Sequence, residues 1–180
     1  MYWTDWGLQP KIERAWLDGT HRSILVNTSI KWPNGLALDY VERKVYWADA
    51  RLDKIEVCNL NGSGRRILID RDVPHIYGFG LIGKHIYWTD WQRRNLQKIH
   101  VDYPQRKDIV VEVLPAVMGL KVVDMKFNYG KIVTLLKILF FFAIVIFHFK
   151  LSLCIIKYDN LKSSSCTVSK FAFTLNYNVT

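Results

Sequence analysis

The sequence predicts an all-β chain, on three observations. A four-residue segment recurs: Tyr2-Trp3-Thr4-Asp5, Tyr46-Trp47-Ala48-Asp49 and Tyr87-Trp88-Thr89-Asp90, starting at residues 2, 46 and 87 and hence 44 and 41 apart. A period near forty residues, with aromatic and acidic side chains in phase, marks sheets stacked as the blades of a β-propeller. The segments around the repeat carry apolar residues on both faces, Val45 and Trp47 on one and Tyr46 and Ala48 on the other. That pattern fits a strand with another sheet packed on each side. Finally, the connections carry hairpin chemistry, as in Asn61-Gly62-Ser63-Gly64, where glycine supplies the positive φ that tight turns need.

Taken in order, residues 2–26 supply the second, third and fourth strands of a first blade, at 2–5, 11–17 and 22–26. Residues 34–69 read as a whole blade, with strands at 35–39, 44–49, 54–60 and 65–69. The turn Leu17-Asp18-Gly19 falls in register with Leu60-Asn61-Gly62. Residues 78–113 give another four strands, at 78–82, 85–90, 96–101 and 108–113, with Ile12, Ile55 and Leu96 at equivalent inward positions. Residues 118–123 begin a further blade. About three blades are therefore expected over residues 1–123, and a closed ring needs at least about four.

The remainder, 124–180, follows other rules. All seven Trp and all five Pro precede residue 116, whereas eight of nine Phe follow residue 126. The chain is formally +9. Residues 1–125 hold 18 Lys/Arg against 15 Asp/Glu, a net of +3, and residues 126–180 hold 7 Lys against Asp159 alone, a net of +6. The repeat region is thus nearly balanced and has no nucleic-acid-reading motif, so nucleic acid is not an expected partner. The apolar run 132–149, broken by Thr134, Lys137 and His148, is just long enough for a membrane-spanning helix. Its Phe, Lys, Ile and Asn bias equally fits translated non-coding sequence, so the tail stays open between an anchor, helical if it spans, and read-through. Met1 leads straight into the first strand, and an export signal is expected on sequence outside this chain.

The repeated residues are expected to be structural. Trp3, Trp47 and Trp88 bring the apolar area that blade packing requires, with Tyr2, Tyr46 and Tyr87 beside them. Asp5, Asp49 and Asp90 end their strands, where a carboxylate accepts backbone N–H groups or pairs with an arginine such as Arg14. A residue recurring once per repeat suits a structural role better than a catalytic one. Residues that break the repeat are the binding candidates: Trp6 and Trp91 after the repeated Asp, Trp32 and Asn34 in one link, His75 and Tyr77 in the next. Links of this kind gather on one propeller rim, where loops carry binding; alternatively, Trp32 and Tyr77 plug the channel mouth. The pairs Arg65-Arg66 and Arg93-Arg94 read as solvated charge or as contacts to an acidic protein. Neither a metal site nor a cofactor is expected: Cys58, Cys154 and Cys166 lack metal-ligand spacing, Cys58 reads as a small buried residue, and a Cys154–Cys166 disulfide has no support. An enzyme reading, a propeller hydrolase, would need Glu42, Asp53, Glu56 and His75 to converge. Among the triplets at Asn27, Asn61 and Asn178, glycosylation is expected at Asn27, in an inter-blade link.

Residues 1–123 resemble the YWTD propellers of the low-density-lipoprotein receptor family. The stretches that carry this are Tyr2-Trp3-Thr4-Asp5 through Ile12-Glu13-Arg14, Trp32-Pro33-Asn34-Gly35-Leu36-Ala37-Leu38-Asp39-Tyr40, Asp53-Lys54-Ile55-Glu56-Val57, Val73-Pro74-His75-Ile76-Tyr77-Gly78-Phe79 and Tyr87-Trp88-Thr89-Asp90-Trp91-Gln92-Arg93-Arg94. They are most similar to the Wnt co-receptor branch, receptor-related proteins five and six, and there to the second of four propellers. The resemblance implies about three blades of a six-bladed ring, in the ectodomain of a cell-membrane receptor on its extracellular side. The partners it implies are Wnt ligands and antagonists such as Dickkopf and sclerostin, with Frizzled as co-receptor. It also implies that Trp6, Trp32, Asn34, His75, Tyr77 and Trp91 form a ligand patch, with Asn34 gripping a peptide backbone. An endocytic or synaptic receptor of the same broad family, with other ligands, is the alternative. The family's cysteine-rich module is missing after Met118-Gly119-Leu120-Lys121, and 124–180 resembles nothing in the family.

Overall fold

The computed structural model describes residues 1–73, 75–112, 117–124, 152–158 and 166–171. Fourteen strands form four sheets among these residues. The first sheet holds β1 (Tyr2–Asp5), β2 (Lys11–Arg14) and β3 (Ser23–Val26). The second holds β4 (Pro33–Asp39), β5 (Lys44–Asp49), β6 (Lys54–Asn59) and β7 (Arg66–Ile69). The third holds β8 (Ile76–Ile82), β9 (His85–Asp90), β10 (Asn95–His100) and β11 (Tyr103–Val111). Each is an antiparallel meander in chain order. The inner strands β4 and β8 pack against one another, and β12 (Val117–Asp124) packs against β8 in turn. This is the blade-on-blade stacking of a propeller, an all-β fold.

The sheets repeat in burial as well as in sequence. β4 and β8 share one pattern of buried and half-buried positions, and β5 and β9 share another in which every residue after the first is buried. Trp47 and Trp88 are both fully buried. Trp47 packs toward the first sheet, in a cluster with Ile12, Val26, Ile30, Val45 and Cys58. On the other face Tyr46, Ala48, Ile55, Val57 and Leu68 meet Val73 of the following link and Ile76, Ile86, Trp88 and Ile99 of the third sheet. Tyr87, Ile82 and Leu96 repeat the arrangement against Leu120 and Val122 of β12. An aromatic side chain buries roughly 150–250 Å², so one Trp per blade suffices to anchor each interface.

Several boundaries differ from the sequence reading. The strand expected over 11–17 stops at Arg14, because Trp16 turns the chain: its N–H donates to the Thr20 carbonyl, 2.9 Å, and its carbonyl accepts the Gly19 N–H, 3.0 Å. β11 starts at Tyr103, not at 108. It is the outer strand of its sheet, so Pro104, which reads as a strand breaker, costs no ladder hydrogen bond there. Strand structure also extends into the tail, where no period is legible: β13 (Ser152–Tyr158) pairs parallel with β12 and antiparallel with β14 (Cys166–Phe171). In that register Cys166 faces Tyr158 and Cys154 faces Lys170. The two cysteines are offset by four residues, about 13 Å along a strand, beyond the ~7 Å reach of a disulfide. The apolar run 132–149 and Asn178 lie outside the described residues. Among the described residues no helix is long and apolar enough to cross a membrane.

Candidate functional site

The repeated aspartates organise one end of the blades. Asp49 is fully buried and accepts four backbone N–H groups: Lys31 at 2.7 Å and Trp32 at 3.1 Å from the incoming link, Arg51 and Leu52 at 3.0 Å each from the outgoing turn. Asp90 does the same for Gln92, 3.0 Å, and Arg93, 2.9 Å. Asp5 accepts the Gly7 N–H, 2.9 Å, and its other oxygen lies 3.9 Å from the Lys11 ammonium. Carboxylates satisfied in this way hold loops in place. Arg14 is not their partner: its guanidinium donates to the Leu60 carbonyl, 2.9 Å, and to Ser23, 3.2 Å, tying the first blade to the second.

Opposite each repeated Trp stands a polar residue that the sequence reading assigned no structural role. Trp3 pairs with Glu13, Trp47 with Glu56 and Trp88 with Gln97 across their strands. Arg22 reaches Glu13 through two hydrogen bonds, 2.9 and 2.7 Å, and its guanidinium lies 5.3 Å from the Trp3 ring centre. Arg65 repeats this with Glu56, 3.0 and 2.9 Å, and sits 5.4 Å from the Trp47 ring. The Arg22 hydrogen bonds hold the Glu13 carboxyl below its usual range, against the opposing effect of burial. The in-phase run Ile12-Glu13, Ile55-Glu56, Leu96-Gln97 is the signal that could have revealed this set.

This bears on the hydrolase carboxylates. Glu56 is locked by Arg65 and by Lys54, 2.9 Å away; Glu42 pairs with Lys84, 2.9 Å; Asp53 accepts the His75 backbone N–H, 3.3 Å. Glu42 and Glu56 are each held in a separate ion pair, and Asp53 meets His75 through its backbone N–H.

The binding candidates lie at the end of the sheets that Asp49 and Asp90 organise. His75 stands at φ 53°, a left-handed conformation that costs an L-residue roughly 1–2 kcal/mol. Its ring meets Trp91 edge to face at 5.6 Å, and its Nδ1 is buried with no hydrogen-bond partner among the described residues. Asn34 is exposed; its Nδ2 donates to the Ile76 carbonyl, 3.3 Å, bridging the second and third blades. Its Oδ1 has no partner among the described residues and remains an acceptor for an incoming N–H. Trp32, Tyr77 and Trp91 are each about half exposed, at 46%, 46% and 52%. Trp6 takes the equivalent place beside Asp5 in the first blade and is also exposed. Arg51, which the sequence reading passed over, stacks 5.5 Å from the Trp32 ring. It occupies the place of Gly7 and Gln92 in the other repeats, and that departure is its signal. Among the described residues Lys31, Arg51, Arg71 and Arg94, all exposed around this end, make no ion pair, whereas Arg93 and Lys107 both clamp Asp72. Those two cations, Lys107 first, keep the Asp72 carboxyl below its usual range.

Stacked meanders with a structural Trp–Asp repeat and a rim of half-exposed aromatic residues define a repeat propeller of the binding class. Residues 1–40 and 43–77 match the family described as low-density lipoprotein receptor repeat class B, and this part of the chain carries that family's YWTD repeats. It is 46% identical over 123 residues to a human low-density lipoprotein receptor-related protein 5-like protein, covering 68% of this chain and 48% of that one. It is 39% identical over 100 residues to the Drosophila melanogaster vitellogenin receptor Yl, over 56% of this chain and 5% of the receptor. Among solved structures, a chain of a nidogen/laminin complex superposes with a TM-score of 0.60 at 33% identity, over 66% of this chain and 46% of that one. A luciferin-regenerating enzyme superposes with a TM-score of 0.53 at 21% identity, over 64% of this chain and 42% of that one, a likeness of fold alone. The chain spans about half the length of the human relative, at 48%. The family is a ligand-binding module rather than an enzyme family.

Proposed function

We propose that residues 1–123 serve as an extracellular ligand-binding module of a Wnt co-receptor-like protein at the cell membrane. In this reading Trp6, Trp32, Asn34, His75, Tyr77 and Trp91 form the docking patch for Wnt ligands or for antagonists of the Dickkopf and sclerostin type, with Frizzled as co-receptor. One observation carries it: an unsatisfied Asn34 side-chain Oδ1 stands beside a strained His75, whose ring meets Trp91 edge to face, and half-exposed aromatic side chains. Such a surface buries a peptide between rigid walls while one polar group reads its backbone. The 46% identity to the receptor-related protein supports the same reading.

The experiment is a binding assay on a full propeller containing these residues, against Wnt, Dickkopf and agrin. Asn34→Ala and His75→Ala are expected to weaken binding by tenfold or more, about 1.4 kcal/mol, while leaving the melting temperature within a few degrees. Absence of binding to any Wnt-pathway ligand defeats this reading. An endocytic receptor with other ligands then takes its place, which the 39% identity to a vitellogenin receptor favours.

A further inference from the structure

We infer that Asn61 carries an N-linked glycan, on the end of the blades opposite the aromatic patch. This rests on the extracellular reading above, since glycosylation requires the secretory lumen. Asn61-Gly62-Ser63 is the tip of the β6–β7 hairpin, and Asn61 is exposed. The acceptor triplet is closed on itself: Asn61 Oδ1 accepts the Ser63 backbone N–H at 3.0 Å and the Ser63 hydroxyl at 2.7 Å. Gly62, at φ 90°, makes the turn. The Ser63 carbonyl accepts the Asn59 N–H, 2.9 Å, and the Asn59 carbonyl accepts the Gly62 N–H, 2.9 Å. All of the Asn61 side chain's hydrogen bonding in this turn falls on Oδ1. Nδ2, the atom a glycan takes, has no partner among the described residues.

The first blade shows that the turn does not depend on Nδ2. Asp18-Gly19-Thr20 adopts the same geometry: Asp18 Oδ1 accepts the Thr20 N–H at 2.9 Å and the Thr20 hydroxyl at 2.8 Å, with Gly19 at φ 84°. A carboxylate, which has no Nδ2, builds the identical hairpin. The glycan is therefore added without loss of a hydrogen bond. The donor is a lipid-pyrophosphate-linked oligosaccharide. A bond forms between Nδ2 and its anomeric carbon, the sugar–pyrophosphate bond breaks, and the departing lipid pyrophosphate takes the proton Nδ2 gives up.

Placement gives the glycan its consequence. The register puts Lys44 opposite both Asp39 and Asn59 at one end of the blade, and Asp49 opposite both Pro33 and Lys54 at the other. Asn61 follows the first end and Trp32 precedes the second. A glycan at Asn61 shields the first end from docking and leaves the patch open.

The test expresses the full chain behind a secretory leader carrying its own reporter acceptor triplet, in glycosylating cells, and reads total lysate. Enzymatic deglycosylation in ¹⁸O water converts each occupied asparagine to labelled aspartate, and trypsin releases residues 55–65. The expected result is label at Asn61 and an Asn61→Asp variant that migrates one glycan lighter. Label at the reporter but none at Asn61, or identical migration of parent and variant, overturns the inference. Either outcome leaves the binding reading standing, because that is judged by the Asn34 and His75 variants.

Discussion

Cys58 shows how a blade interface controls a single reactive group. It is fully buried against Trp47, Val45 and Ile12, and burial pushes its thiol pKa up to about 11. Only the thiolate reacts with alkylating reagents. Cys58 is therefore expected to stay unmodified at neutral pH in the folded chain and to label at the rate at which the first two blades separate. Peptide mapping after timed alkylation checks this; rapid labelling under native conditions contradicts a closed interface. At this scale the structural Trp and Asp residues were legible in the sequence because they recur in phase. Arg51 and Asp53 were not: Arg51 reaches Trp32 only through the turn that Asp49 pins, and Asp53 meets the patch only through His75, 22 residues away. Glu56 looked like a spare carboxylate because the strand that brings Arg65 to it lies nine residues away.

At the scale of elements, the β2–β3 hairpin carries a pH-sensitive clasp. Arg22 stabilises the ionised form of Glu13, so the folded pKa lies below the unfolded value. The contribution is complete above the ordinary glutamate pKa of about 4.3 and is lost as pH falls through the depressed folded value. The protection of the β2 and β3 amides, taken relative to the intrinsic exchange rate at each pH, is expected to fall below that pH, and Glu13→Gln is expected to remove this dependence. Unchanged dependence in the variant rejects the clasp. The inner strands answer to sterics. A Cβ at Gly78 would stand 2.6 Å from the Leu120 backbone nitrogen and 2.8 Å from Thr89 Oγ1, which accepts the Gly78 N–H. Gly78→Ala is thus expected to destabilise by about 1–3 kcal/mol, seen as a lower denaturation midpoint. A neutral effect would show that β8 and β12 are not packed as described. Central strands such as β5 and β9 were legible because both faces are apolar. The ends of β2 and β11 were not: one depends on a turn hydrogen bond, the other on an outer edge that tolerates proline.

For the whole molecule, the described blades form part of a ring, and the first sheet leaves apolar side chains uncovered. Trp16, Leu17 and Ile24 are 61%, 88% and 54% exposed, and a cavity of about 760 Å³ opens between Met1, Tyr2, Arg14, Trp16, Leu17 and His21. Uncovered apolar area of this kind favours self-association. Residues 1–123 expressed alone are expected to elute as aggregates in size-exclusion chromatography. A monodisperse monomer with one cooperative melt contradicts this. The propeller class was legible because each blade repeats one plan. The strands of the tail were not, because Ser152–Tyr158 and Cys166–Phe171 share neither the period nor the aromatic–acidic mark.

The four amide protons on Asp49 tie Trp32, a candidate contact residue, to the interior of its blade. Anyone screening variants by ligand capture alone will therefore find this buried acid among the hits and credit it with recognition. Its true offence is architectural: without it the wall that a visitor leans on has no foundation.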